Sequence, residues 1–196
     1  MIVRLLKFLK NKSPFVWQAI EYCNGLAVSL FYGNKIRKAT MPVFTNDKLF
    51  AYRELSVCDL TALETMLSCQ PYGFDEFFKP HNFDIKTLKR LFRNPAFLML
   101  GAFDGEKIAG YFFIRFFTNR TAFRGKMVDA KYQGKGIAKE MGRIMTEIAL
   151  GAGFRLFATI SKSNYGSMAS SVAVNEIKII KELPNNYLYI EYSRKC

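Results

Sequence analysis

Apolar and polar positions along the 196-residue chain divide it near residue 45. In the first segment Ile2, Val3, Leu5, Leu6, Phe8 and Leu9 are apolar, while Arg4, Lys7 and Lys10 recur every three residues. That pattern predicts a basic amphipathic helix. Ser13-Pro14 is a good helix start, and the run from Phe15 to Phe31 has Glu21 as its one formal charge. Gln18, Glu21 and Asn24 make it too polar for a transmembrane span. No small-residue cleavage site follows it, which argues against a signal peptide. The expectation for 1–45 is a helical hairpin packed on the following domain or on a second copy of the chain, with an interfacial membrane helix as the alternative.

Residues 46–196 read as one mixed α+β domain. Phe50 to Leu55 is a first strand, and Val57 to Leu67 a helix with Leu60, Leu63, Met66 and Leu67 on one face. Pro71-Tyr72-Gly73 punctuates a loop, and Asp84 is placed to cap a helix running to about Arg93. Three strands follow, 96–103, 107–118 and 121–130, joined at Asp104-Gly105 and Asn119-Arg120. A helix to about Leu150 has the apolar stripe Ile137, Met141, Ile144, Met145, Ile148 and ends at Gly151 and Gly153. A strand over 154–160, a short helix from Asn164 to about Ala173, and a hairpin about Pro184-Asn185-Asn186 complete the chain.

Composition narrows the chemistry. Half of the residues are hydrophobic, so a real core is affordable, and a formal charge of +13 favours an anionic partner. Cys23, Cys58, Cys69 and Cys196 have no C-x-x-C spacing and the chain has one histidine. Zinc is therefore disfavoured, no metal is expected, and reduced cysteines suit a cytoplasmic protein, with the inner membrane face as a variant if the N-terminal segment binds lipid.

The stretch Met127-Val128-Asp129-Ala130-Lys131-Tyr132-Gln133-Gly134-Lys135-Gly136-Ile137-Ala138 reads as a strand end, a glycine turn and a helix start. Helix N-terminal amides lack intrahelical partners and sit at the positive end of the dipole, so the turn suits a phosphate or pyrophosphate. Lys131, Lys135, Lys139 and Arg143 add charge, and no acid lies between Asp129 and Glu140. A P-loop string is absent. The third glycine of a dinucleotide fingerprint is Lys139 here, and the next strand lacks the ribose-binding acid.

Val128 to Ala138 resembles the acyl-CoA signature of the GNAT superfamily of N-acyltransferases, with Ala130 where proline is commoner. The element order from 49 to 193 resembles that fold too, as does Ser163-Asn164-x-x-Ser167. The resemblance implies a mostly antiparallel central sheet flanked by helices, with the N-terminal segment as an addition. It implies acetyl-CoA as co-substrate, held by Met127, Val128, Gln133, Gly134, Lys135, Gly136, Ile137, Ala138, Lys139, Asn164 and Ser167. It further implies that an amide near Val128 stabilises the thioester oxyanion while an amine attacks directly in a ternary complex. A micromolar complex corresponds to about −8 kcal/mol, more than one phosphate turn supplies, so contacts to the pantetheine arm are also required.

Where many family members carry a tyrosine that protonates the leaving thiolate, this chain has Ser171; Tyr165, the nearest phenol in sequence, is the candidate acid, with Ser167 and water as the alternatives. His81 is the candidate base. It lies in Phe77-Phe78-Lys79-Pro80-His81-Asn82-Phe83, which resembles the Phe-x-Pro-His-x-Phe segment of one bacterial subgroup, and that resemblance with the basic charge favours an aminosugar nucleotide or other small anionic amine as acceptor. The competing expectations are an acyl-CoA-binding protein without turnover and a basic module for anionic lipid or nucleic acid. No helix-turn-helix, RRM or zinc-finger pattern supports nucleic acid.

Overall fold

The structure, a computed structural model, describes residues 14–41, 49–71 and 73–195. Helix α1 spans Pro14–Thr40, strand β1 Ala51–Glu54 and helix α2 Leu60–Ser68, the last preceded by a 3-10 turn at Val57–Asp59. Helix α3 covers Ile85–Phe92, then come β2 Phe97–Asp104, β3 Lys107–Phe116 and β4 Thr121–Val128. After a 3-10 turn at Ala130–Tyr132 follow α4 Ile137–Gly151, β5 Arg155–Ser161, α5 Tyr165–Val172, β6 Asn175–Leu183 and β7 Tyr187–Arg194. The seven strands form one sheet in the order β1-β2-β3-β4-β5-β7-β6. Every adjacent pair is antiparallel except β4 and β5. The mostly antiparallel α+β architecture expected from the sequence is therefore present.

Local chemistry sets the boundaries. Asp84 caps α3 by accepting from the Thr87 amide at 2.9 Å, and that helix buries Leu88 and Leu91. Asn185 and Asn186 turn the last hairpin in the left-handed region, which asparagine tolerates better than most side chains.

Both faces of the sheet are covered. On one, Leu60, Leu63, Leu88 and Leu91 of α2 and α3 join Tyr111, Phe113 and Met127 in a core cluster. On the other, α1 and α4 bring Val28, Ile36, Met141, Ile144 and Ile148 against Phe112, Ile114 and Leu156. Residues 111–114 of β3 thus alternate between two cores, and none is left to solvent.

Helix α1 extends to Thr40, nine residues past the predicted Phe31, as one continuous helix. The predicted first arm of a hairpin, residues 1–13, lies outside the described residues. The inner face of α1 is integral to the domain. Val28 and Ile36 sit in the core, Asn24 donates to the Phe116 carbonyl at 3.0 Å, and Arg115 pairs with Glu21 at 2.9 Å. Its outer face carries exposed Tyr22, Leu26, Leu30 and Phe31. No helix among the described residues is long and apolar enough to cross a membrane.

Candidate active site

The parallel pair β4–β5 is joined only from Thr121 to Phe123, opposite Arg155 to Phe157. Beyond Phe123, β4 continues to Val128 in register with β3 alone, and β5 runs to Ser161 paired with β7. The two strands therefore fork. From residue 124 to 128, the side of β4 facing the fork has no strand partner, so its backbone groups are open to a ligand that pairs as a strand would.

The glycine turn stands at the mouth of this fork. Gly134 and Gly136 have φ of 78° and 81°, and an added Cβ would meet nothing within 4 Å at either position. Backbone handedness selects glycine here; crowding does not. Gly136 caps α4 without a side-chain bond. The amides of 133–138 donate to no backbone carbonyl among the described residues, whereas Lys139 and Glu140 bond back to the Gly136 carbonyl. A row of free N–H groups at the positive end of a 15-residue helix is an anion site by construction.

Neighbouring contacts hold the turn in place. The Ala130 amide donates to Gln70 Oε1 at 3.1 Å, Tyr132 donates to Asp104 Oδ2 at 2.9 Å, and Asp129 accepts from the Lys131 amide at 2.9 Å. Lys135 lies over the Tyr132 ring, 4.9 Å from its centroid. Arg143, expected to help with phosphate, is engaged by Glu140, its Nε donating to both carboxylate oxygens at 3.1 and 2.9 Å. Lys135 and Lys139 are thus better placed than Arg143 to supply charge.

Asn164 is the N-cap of α5, its Oδ1 accepting from the Ser167 amide at 3.0 Å. The two residues of the predicted Ser-Asn-x-x-Ser pattern therefore meet at one helix start. Tyr165, next in the chain, is 79% exposed. Ser171 is buried and shares a 3.4 Å contact with the Tyr192 hydroxyl.

His81 lies across the sheet, on the α2–α3 side. Its ring makes edge or tilted contacts with Phe83, Phe97, Tyr111 and Phe113. Nδ1 is 2.8 Å from the Asn82 carbonyl and Nε2 is 3.1 Å from the Tyr111 hydroxyl. A carbonyl can only accept, so Nδ1 carries the proton and Nε2 receives the Tyr111 hydrogen. Burial holds the imidazole below its usual pKa against the opposing pull of the Asn82 carbonyl. Burial also pushes the Tyr111 hydroxyl well above its usual range. His81 is neutral at pH 7, and its lone pair is free only when Tyr111 turns away.

The fork also contains two cations that alternation along β4 had disguised. Arg124 and Lys126 occupy positions that a half-exposed strand would give to solvent, yet both point under α4. Arg124 is buried, donating to the Gly142 carbonyl and to Thr146 Oγ1, each at 2.9 Å, with its guanidinium carbon 3.3 Å from the centre of the Tyr192 ring. Its Nη2 has no partner among the described residues. Lys126 Nζ donates to the Ala138 carbonyl at 2.7 Å and to Ser170 Oγ at 2.9 Å. Burial first, then the Arg124 charge, lowers the Lys126 ammonium from 10.5 to about 7.

Among the described residues no cluster of three or more His, Cys, Asp or Glu has the disposition to hold a metal. A surface cavity of about 560 Å³ beside Lys35, Lys38, Glu147 and Arg194 lies at the opposite end of α4 from the glycine turn. It has neither a free strand edge nor free helix amides, so the fork is the better candidate.

The sequence pattern of the acetyltransferase (GNAT) family matches residues 60–170. No curated protein matches the chain. Among solved structures, the GNAT domain of S. lividans PAT superposes with a TM-score of 0.65 at 15% identity, covering 76% of this chain and 96% of that one. The ribosomal-protein-S5-alanine acetyltransferase from Vibrio fischeri gives 0.61 at 15% identity, covering 77% and 96%. Aminoglycoside acetyltransferase AAC(6')-Ib, in a complex with coenzyme A and kanamycin, gives 0.59 at 14% identity, covering 74% and 95%.

Proposed function

The chain belongs to the GNAT acetyltransferase family, and from that premise we propose that it moves an acetyl group from acetyl-CoA to an amine by direct attack in a ternary complex. The observation that carries this reading is the unpaired edge of β4 from 124 to 128 leading onto the free amides of 133–138. The pyrophosphate would rest on those amides with Lys135 and Lys139 nearby. The pantetheine arm would pair with the β4 edge, and Met127 and Val128 would present backbone groups to the thioester. Asn164 and Ser167 flank the other wall of the fork. The aminoglycoside acetyltransferase that shares the fold is complexed with coenzyme A and kanamycin, which supports a site that takes coenzyme A together with a second small molecule.

The acceptor enters from the side of α2, α3 and His81, because α4 and α5 cover the other. The basic charge favours an anionic amine, an aminosugar nucleotide being the leading candidate. His81 is the proposed base, taking the amine proton at Nε2 once Tyr111 is displaced. Its lowered pKa keeps it neutral and competent down to mildly acidic pH, and activity falls as it becomes protonated.

Calorimetry with acetyl-CoA, followed by thiol release with a panel of amines that includes hydroxylamine, aminosugar nucleotides and polyamines, tests the assignment. Wild-type protein is expected to bind acetyl-CoA, and Gly134→Val with Gly136→Val to lose that binding. Retained affinity in the double variant, or no thiol release with any amine, overturns the transferase reading. His81→Ala is expected to cut turnover and remove the acidic limb of the pH profile. An unchanged profile would show that His81 is not the base.

A further inference from the structure

Transfer of an acyl group from a thioester leaves a thiolate, and sulfur departs most easily when a nearby acid supplies a proton. The groups facing the fork from each wall can be compared for that task. From α5 come Ser167, Ser170 and Ser171, alcohols that are poor acids. Ser171 is fully enclosed and faces Tyr192. Tyr165 starts the same helix but is largely exposed. From β7, Tyr192 is itself buried, its ring face occupied by the Arg124 guanidinium. From α4 come the Ala138 and Gly142 carbonyls, which only accept. From β4 come Arg124, which does not release its proton in proteins, and Lys126.

Lys126 lies on the unpaired stretch of β4 and spans the fork, tying the first turn of α4 to α5 one residue before Ser171. Two of its three ammonium hydrogens are engaged, which leaves one for a third acceptor. No carboxylate joins Arg124 and Lys126 among the hydrogen bonds and ion pairs of the described residues, and Arg124 Nη2 is orphaned. A buried guanidinium and a half-buried ammonium beside it are costly in a resting protein. They are well matched to a site where negative charge appears during reaction.

We propose that Lys126 is the general acid that protonates the departing coenzyme A thiolate, with Arg124 as a positioning residue that keeps the ammonium ready to release its proton. The assignment rests on the acetyl-CoA site proposed above. The amine nitrogen forms the new C–N bond, and the C–S bond breaks with its electron pair on sulfur. Sulfur takes a proton from Lys126 Nζ, and the amine gives its own proton to His81 or solvent. Water then reprotonates Lys126. An ammonium whose pKa has fallen to about 7 is a stronger acid than an ordinary lysine. General acid catalysis of this kind contributes roughly 10²–10⁴-fold.

The test uses full-length protein, acetyl-CoA and hydroxylamine, with thiol release as readout and calorimetry for acetyl-CoA affinity. Lys126→Met is expected to bind acetyl-CoA within about threefold of wild type while kcat falls on the order of a hundredfold or more. In wild type, kcat should decline as pH rises past neutrality, because Lys126 loses the proton it must donate. Lys126→Arg keeps the cation and the fold but cannot release a proton, so it should show low kcat without that decline. Wild-type turnover in Lys126→Met, or a decline with pH that survives in both variants, overturns the role of Lys126 and leaves the acetyl-CoA site standing. Loss of acetyl-CoA affinity in Lys126→Arg assigns Lys126 to binding and likewise overturns its role as acid.

Discussion

At the scale of single residues, Lys126 shows what sequence position alone does not carry. Arg124, Lys126 and Val128 alternate with Phe123, Gly125 and Met127, which reads as a strand with one wet face. The fork turns that face inward, beneath α4. The consequence for stability follows from linkage. A lysine whose folded pKa is about 7, against 10.5 unfolded, makes the unfolded chain bind the additional proton between those values, so folding is penalised below about pH 7 and the penalty fades toward pH 10. Lys126→Met is therefore expected to be more stable than wild type at pH 6, by on the order of 1–3 kcal/mol after its two lost hydrogen bonds are counted. That advantage should shrink steadily toward pH 10 in denaturant melts. A variant less stable than wild type at every pH would show that the hydrogen bonds outweigh the charge.

At the scale of elements, the glycine turn and the α1 helix illustrate opposite outcomes. The turn was legible because its two left-handed positions need glycine and its helix needs free amides, both local requirements. In α1 the apolar residues run nearly all the way round, so periodicity could not say which side is the inner one. The structure separates them: Val28 and Ile36 are core, while Leu26 and Leu30 are exposed. Val28→Asp is thus expected to cost about 3 kcal/mol or more, since it buries an unpaired charge. Leu30→Glu should change stability by less than about 0.5 kcal/mol. Thermal melts of the two variants check this, and equal effects would mean that α1 is not packed as described. Deleting residues 1–40 would uncover the core around Phe112, Ile114 and Phe154, so such a truncation is unsuited to producing a soluble monomer.

At the scale of the whole molecule, the sheet order puts the two parts of the proposed site on opposite faces. The family signature lies at the α4 end of the fork, and the His81 aromatic cluster lies beneath α2 and α3. Strand β4 is shared by both, with Met127 in the lower core and Lys126 in the upper wall. A charge of +13 acts over this whole surface, and an anionic ligand would be attracted to it in a salt-dependent way. Sequence alone determined the α+β class, most element boundaries, the glycine turn and the short helix from Asn164, because each depends on periodicity, φ or a cap within a few residues. Tertiary structure alone decided that β4 and β5 part after Phe123, that His81 meets Tyr111 across 30 positions, and that Arg124 is buried with half-buried Lys126 beside it. These features depend on which segments become neighbours in space, and burial, not residue type, sets their chemistry.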